Sequence, residues 1–272
     1  MKVVRMAALA MAIVAVVTTS TAAQWPKHPS KSVPKNEKGE PKLDAPAPRT
    51  ADGKPDLSGL WRGVGGLGRQ GAPAPPQSGP PVAGFRDVAA NIKGGLPFTP
   101  WAQGVLKERV AGNSKDNPEA HCLPMGIIQF HTQGAPRKFV QTPDLLVILY
   151  EASSGIRQIF TDGRALPTLN DDLQPWYYGY SVGKWEGDTL VVESVGFRED
   201  GWLDIIGTPM TEQAKVTERI RRPTFGKMEI DITIDDKKAY TTPWTVRINQ
   251  ELMLDQELIE FICEENQRFG KQ

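Results

Sequence analysis

The chain has 272 residues with 32 basic and 32 acidic side chains, so its formal net charge at neutral pH is zero. A neutral chain has no electrostatic footprint for a phosphate backbone, which argues against nucleic-acid binding. Its hydrophobic content of 39% and charged content of 24% are ordinary for a globular protein and exclude wholesale disorder.

Residues 1–23 have the pattern of a secretory signal peptide. Lys2 and Arg5 precede an apolar run over 6–17, and small residues follow at 20–23. The apolar run is shorter than the roughly 20 residues that a membrane-spanning helix needs. The pattern therefore predicts a periplasmic or secreted protein that is not stably inserted in a membrane once the signal is cleaved.

Proline is concentrated in the N-terminal third, and its fixed φ and missing N–H exclude central strands and long helices there. Residues 24–50 are predicted to form an extended arm, and 66–97 an irregular loop. A turn and a short first strand lie between them, at 52–61. A helix is predicted over 99–111, with threonine as its N-cap and proline as its first helical residue. No second helix is predicted.

The two cysteines are Cys122 and Cys263. In an oxidising compartment, two cysteines predict one disulfide. That bond would close a loop of about 140 residues. It would stabilise the fold by up to roughly 5 kcal/mol, because it lowers the conformational entropy of the unfolded chain. Two buried free thiols are the alternative.

From residue 137 onward, alternation and β-branched residues predict strands separated by turns. The expected strands cover 138–141, 145–150, 157–161, 178–185, 189–193, 214–221, 227–234 and 244–248. Together with the first strand they predict one all-β domain over 51–272. We expect an antiparallel meander that closes into a barrel, lipocalin-like or similar, with a sandwich as the alternative.

Several motifs resemble those of a family of uncharacterised secreted or periplasmic bacterial proteins. The matching stretches are DGKPDLSGLW (52–61), NPEAHCLPMG (117–126), VQTP (140–143), LYEASSGIRQIFTDGRALP (149–167), GYSVGKWEGDTLVVES (179–194), VTERIRR (216–222), MEIDITIDD (228–236), YTTPWTV (240–246) and CEEN (263–266). The resemblance implies export and, because both cysteines lie in matching stretches, supports the disulfide. It implies no reaction. Relatives usually carry a histidine where this chain has Met210, and often another where it has Leu166.

The Gly59-Leu60-Trp61 triplet is similar to the G-x-W opening of lipocalin-type barrels. There a tryptophan plugs one end of the barrel, and an arginine of a late strand stacks on it. By this analogy, Arg247 or Arg219 would make the cation–π contact here.

Two motifs that carry chemistry elsewhere are discounted. His121 and Cys122 are adjacent, but no zinc-type spacing surrounds them, so neither a metal nor any other cofactor is predicted. Residues 179–183 spell G-x-S-x-G, yet they lie inside an alternating strand and no helix follows. We expect these glycines instead to let a bulky ring or a neighbouring chain approach the sheet.

The candidate catalytic residues are His121, Arg157, Glu218 and Tyr180. The ordinary pKa of histidine suits a general base, although a structural hydrogen bond beside the disulfide is the alternative for His121. Arg157 and Glu218 would need partners if they face inward, either each other or a ligand.

Six tryptophan and tyrosine residues lie within 27 positions, and they predict either a ligand pocket or ordinary barrel core. The candidate ligand-binding residues are Trp176, Tyr178, Trp185, Trp202 and Arg219. The sequence thus favours an exported barrel that binds a small apolar or aromatic molecule. The alternatives are a metal-free lyase, isomerase or hydrolase that uses acid–base catalysis in the barrel mouth, and a structural or interaction module. The oligomeric state is left open.

Overall fold

The computed structural model describes residues 32–64, 79–168, 174–199 and 201–263. The predicted signal peptide and parts of the predicted arm and irregular loop lie outside these ranges. Within them, no helix is long and apolar enough to cross a membrane.

The described residues form nine strands that close into one barrel, which confirms the predicted fold class. The strands are β1 (Gly59–Val64), β2 (Arg137–Gln141), β3 (Leu145–Tyr150), β4 (Ile156–Phe160), β5 (Tyr180–Glu186), β6 (Thr189–Val195), β7 (Lys215–Thr224), β8 (Lys227–Asp235) and β9 (Trp244–Leu252). Each strand pairs with its neighbour in sequence, and β1 closes the barrel against β9. As predicted for β8, its alternate isoleucines are fully buried, because a strand sends successive side chains to opposite faces.

The barrel is mixed rather than wholly antiparallel, because β4 and β5 run parallel. Their pairing is short, since it joins Ile159 to Ser181 and Phe160 to Val182. The connection over 161–179 has the length that a parallel crossover needs, so β5 starts from the same end of the barrel as β4. Before the paired residues the two chains separate, which opens the wall of the barrel at one end.

The predicted helix, α1 (Pro100–Ala111), is confirmed: the Thr99 hydroxyl accepts a hydrogen bond from the backbone N–H of Ala102, and Gly112 follows the last turn. A second helix, α2 (Ile127–Thr132), was not expected from the sequence. All six of its residues are buried, so it shows no amphipathic pattern. A Cβ at Gly126, which precedes α2, would lie 1.8 Å from the Trp202 carbonyl oxygen, so only glycine fits there.

Trp61 of β1 is fully buried, and its indole N–H donates to the Leu57 carbonyl at 3.0 Å. The guanidinium over its ring belongs to Arg222, 4.9 Å from the ring centroid, rather than to Arg247 or Arg219. The alternation of β7 explains the difference. Its inward positions include Arg222, whereas Arg219 faces outward and forms an exposed ion pair with Glu186.

Arg247 also faces away from the lumen, on the outer side of β9, where it binds Asp231 at 2.6 Å. The segment over 79–97 covers this side of the barrel through backbone hydrogen bonds of Pro81 and Ala83 with Arg247. The described part of the N-terminal arm packs on the turn between β7 and β8, where the Leu43 carbonyl accepts from Gly226.

The predicted disulfide between Cys122 and Cys263 is present, with the two Cα atoms 5.6 Å apart. It joins the segment before α2 to the segment that follows β9. Such a bond is typical of proteins in oxidising compartments.

Candidate functional site

A buried ion pair crosses the lumen of the barrel. Arg157 of β4 and Glu218 of β7 both lie on inward strand positions and are almost fully buried. The two terminal nitrogens of Arg157 donate to the two carboxylate oxygens of Glu218, with Nη1 3.0 Å from Oε1. This two-pronged geometry is the strongest arrangement for such a pair, and it neutralises both charges inside the barrel.

Two serines complete the environment of the guanidinium. Ser181 of β5 and Ser194 of β6 lie opposite each other, with their hydroxyl oxygens 2.8 Å apart. Arg157 Nη2 lies 3.2 Å from the first hydroxyl and 3.1 Å from the second. Ser181, the serine of the G-x-S-x-G stretch, therefore lies inside a strand and binds Arg157. The nearby Gly179 packs against the Phe197 ring, and a Cβ at this position would lie only 2.8 Å from that ring. This is the close approach of a bulky ring to the sheet that the sequence predicted.

His131 of α2 lies on the other side of the ion pair and is fully buried. Its Nδ1 is 3.3 Å from the side-chain amide nitrogen of Gln250, and its Nε2 is 3.4 Å from Glu218 Oε1. An amide N–H that donates to Nδ1 assigns the imidazole proton to Nε2, which faces Glu218. We define the interior cluster as Arg157, Glu218, His131, Ser181 and Ser194.

The electrostatics of the cluster follow from burial and pairing. Burial lowers the pKa of His131 below its ordinary value of 6.5, so this histidine is neutral at neutral pH. Burial alone would raise the pKa of Glu218, but the charge of Arg157 and the hydrogen bonds of His131 and Arg157 lower it to about 2. Glu218 in turn raises the pKa of Arg157 against the effect of burial.

A second buried arginine holds α2 in place. The Arg137 guanidinium donates to the backbone carbonyls of His131 at 2.6 Å, Gln133 at 2.6 Å and Ala135 at 2.7 Å. A cation beside the free carbonyls at a helix C-terminus is favourable, although burial lowers the pKa of Arg137 to about 10. This contact fixes the end of α2 that carries His131.

Two tyrosines lie next to the interior cluster. The rings of Tyr150 and Tyr178 have centroids 5.6 Å apart, and Phe130 packs against both. Burial raises the pKa of Tyr150 to about 12 and raises that of Tyr178 further, so both hydroxyls stay protonated. Among the described residues, the Tyr178 hydroxyl has no hydrogen-bond partner.

A cleft of about 380 Å³ opens where the starts of β4 and β5 separate. We call it the β4–β5 cleft. Its walls include Gly155, Ile156, Arg157, Trp176, Tyr177 and Tyr178. Ile156 is 64% exposed and Trp176 is 38% exposed, so the rim is apolar. The Arg157 side chain joins the cleft to the interior cluster.

The structure brings together two of the four predicted catalytic residues, Arg157 and Glu218. His121 is exposed at the end of a short 3-10 helix over Pro118–His121. Tyr180 is directed outward, and its hydroxyl accepts a hydrogen bond from exposed Arg164 at 3.0 Å. The four predicted catalytic residues therefore do not converge in one pocket.

The predicted ligand-binding residues also separate. Trp176 and Tyr178 line the β4–β5 cleft. Trp185 lies near the other end of β5, Trp202 is buried under the Arg109 guanidinium, and Arg219 is on the outer surface of the barrel. Strand alternation separates Arg219 from its neighbour Glu218, since adjacent residues face opposite sides.

Sequence reasoning missed His131, Tyr150 and the two serines that bind Arg157, Ser181 and Ser194. Tyr150 could have been found, because it continues the inward alternation of Leu146 and Ile148 on β3. His131 could not, since it lies on a buried helix without a periodic pattern. Among the described residues, no three His, Cys, Asp or Glu side chains gather as metal ligands.

Comparison of the chain with protein-family models, with curated proteins and with solved structures finds no match.

We expect the free energy of unfolding to fall as the solution is acidified. Because burial lowers the pKa of His131 in the folded state, the unfolded chain binds its proton first once the pH falls below 6.5. Glu218 acts with the same sign at lower pH, since its folded pKa of about 2 lies below the ordinary 4.5. Stability from both groups is present at neutral pH and is lost on the acid side.

Urea unfolding at a series of pH values measures this dependence. His131→Asn should flatten the change in unfolding free energy between about pH 6.5 and 5. An unchanged slope in His131→Asn would contradict the assignment of the buried histidine.

Proposed function

We propose that the protein is an exported barrel that binds a small apolar or aromatic molecule in the β4–β5 cleft. The observation that carries this proposal is the aromatic wall of the cleft, formed by Trp176, Tyr177 and Tyr178, beside a buried arginine. The cleft volume of about 380 Å³ lies within the range of small-molecule sites, about 300–1,000 Å³.

The exposed apolar rim supports an apolar ligand. Ile156 and Trp176 expose large apolar surfaces at the mouth of the cleft, and Leu123, close to the cleft residue Pro124, is 39% exposed. A bound apolar molecule would remove part of this surface from water, which is favourable in proportion to the area covered.

The positions of the acid–base groups favour binding over catalysis. Glu218 is fully buried behind Arg157, and its carboxylate is occupied by the guanidinium. His121 and Tyr180 point elsewhere, and a general base must lie within hydrogen-bond reach of its substrate. A lyase, isomerase or hydrolase that uses the predicted residues therefore has no geometric support.

We also propose a periplasmic or secreted location and membership of the exported bacterial family that the motifs resemble. The disulfide between Cys122 and Cys263 supports an oxidising compartment, and the pattern of residues 1–23 supports export.

Trp176→Ala should weaken binding of the neutral fluorescent probe N-phenyl-1-naphthylamine about tenfold, because it removes an aromatic wall worth about 1–2 kcal/mol. Probe fluorescence and calorimetric titration measure the affinity. Trp101→Ala is the matched control, since Trp101 on α1 is 41% exposed and lies outside the cleft. The proposal is wrong if the unmodified protein does not bind the probe, or if both variants bind it as tightly as that protein does.

A further inference from the structure

We infer that the protein forms a symmetric dimer through the outer surface of β2, β3 and β4. This inference goes beyond the proposed function, because it does not depend on a ligand. It is carried by apolar side chains that lie together on the outside of the barrel. We call these side chains the apolar face: Val140, Leu145, Val147, Leu149, Ile156 and Phe160.

Strand alternation places the apolar face outside the barrel. Phe139 of β2, Ile148 of β3 and Ile159 of β4 are buried in the barrel, so the residues next to them in sequence point outward. Among the outward residues of these three strands, which the structure describes in full, only Lys138 and Gln158 are polar.

The register of the strands joins these side chains into one surface. Val140 of β2 lies opposite Val147 of β3, and Leu149 of β3 lies opposite Ile156 of β4. Side chains that are opposite each other on one face of a sheet are in contact. The apolar face is therefore continuous across all three strands.

The outer surface of β7 shows the composition that a barrel exterior in water usually has. Its outward residues are all polar: Lys215, Thr217, Arg219 and Arg221. Contiguous apolar patches larger than a few hundred Å² are rare on soluble monomers, and they mark sites of interaction. The contrast between β7 and the apolar face thus indicates a surface that is covered by a partner.

Further apolar residues extend the apolar face at both ends of β3. At one end, Phe160 packs against Tyr180, which packs against Trp176, with ring centroids 5.2 and 5.5 Å apart. At the other end, the backbone N–H of Ile259 donates to Glu151 at 3.2 Å, which brings in the segment after β9. This segment exposes Ile259, Phe261 and Ile262.

The area of this surface is what a stable dimer needs. A large apolar side chain that is about half exposed presents roughly 100 Å² to water. The apolar face and its extensions therefore offer on the order of 800 Å², which is the area that each partner contributes to a standard interface.

The charges at the edges of the apolar face favour a second copy as the partner. Lys138 pairs with Glu257 at 3.1 Å, and Arg164, which lies over the Phe160 ring, pairs with Asp162 at 2.6 Å. Both basic groups thus have an acidic partner in the same chain, and two copies would not repel each other. An anionic membrane surface attracts an excess of basic residues, whereas these pairs carry no net charge.

The closed barrel also limits how two copies can pair. Because β1 pairs with β9, the barrel has no free sheet edge that another chain could extend. Two apolar faces can instead pack against each other as the sheets of a sandwich do, about 10 Å apart. In such a two-fold pairing each copy buries the same residues.

Sedimentation equilibrium of the purified protein at micromolar concentrations should give twice the mass of one chain. Val147→Glu should weaken the dimer about a hundredfold, because it buries an unpaired charge in the middle of the interface. Val191→Glu is the matched control and should leave the dimer unchanged. Val191 is also an outward valine, but it lies on β6 opposite Lys184 and Arg219.

The double variant Val140→Glu with Val147→Lys provides the same test if Val147→Glu does not fold. The two residues are directly opposite each other, so the new side chains form a cross-strand ion pair that supports the strand pairing. Val140 is already 40% exposed, which makes a charged residue acceptable there. The double variant should be a folded monomer by circular dichroism and sedimentation.

Three results would overturn the inference. The first is an unmodified protein that is monomeric at all concentrations. If such a monomer floats with phosphatidylcholine vesicles and Val147→Glu does not, the apolar face binds a lipid surface instead. The second is a dimer that survives both changes to the apolar face, and the third is a dimer that Val191→Glu weakens equally.

Discussion

Glu218→Leu should lower the free energy of unfolding by about 3–5 kcal/mol, because it leaves a buried cation without its counter-ion. In this variant the Arg157 guanidinium, which is 1% exposed, would retain the hydroxyls of Ser181 and Ser194 as its acceptors. Two neutral hydroxyls replace little of the stabilisation that a two-pronged carboxylate provides. Urea unfolding followed by circular dichroism measures the loss.

The double variant Arg157→Met with Glu218→Leu should regain most of the lost stability, because it removes both charges from the lumen. The exposed pair of Arg219 and Glu186 supplies the control: Glu186→Leu should change the unfolding free energy by less than about 1 kcal/mol. A double variant as unstable as Glu218→Leu would show that the ion pair is not the source of the effect.

The strands and the first helix could be predicted from the sequence because their determinants are local. Alternation fixes which residues of β7 and β8 face inward, and Thr99 with Pro100 fixes the start of α1. The inward position of Glu218 follows from the same alternation, and so does the need for a partner such as Arg157. This part of the site was within reach of sequence reasoning.

The rest of the site depends on contacts between distant parts of the chain. The parallel pairing of β4 with β5, beside which the cleft opens, joins two separate segments of the chain, and no local pattern indicates it. His131 is delivered by α2, which is stabilised by complete burial and by Arg137 rather than by helical periodicity. For this reason the sequence indicated His121, which is exposed, and not His131, which lies beside Glu218.

The arginine over Trp61 also shows the difference between what a local motif predicts and what depends on the folded strands. The analogy with G-x-W barrels predicted Arg247 or Arg219 over the tryptophan, whereas the guanidinium there belongs to Arg222 of β7. Its identity required the alternation of β7, in which Val216, Glu218 and Ile220 precede Arg222 on the inward side. The residue type was predictable from the motif, and the position follows once the inward side is known.

Loss of the disulfide between Cys122 and Cys263 should lower the free energy of unfolding by up to about 5 kcal/mol. The bond spans 141 residues, so it restricts most of the unfolded barrel, and the entropy it removes from the unfolded chain grows with the length of the loop. It also holds the segment after β9, where Ile259 and Ile262 are about half exposed and add little burial of their own.

The double variant Cys122→Ser with Cys263→Ser measures this effect without a free thiol, and thermal unfolding of the oxidised and reduced protein measures it without mutation. Both should give the same loss, and each single variant should match the double, because either substitution removes the same bond. If reduction leaves the unfolding transition unchanged, the loop does not restrict the unfolded chain. In that case the disulfide serves to hold the C-terminal segment beside the residues before α2, and it contributes to local order rather than to the stability of the barrel.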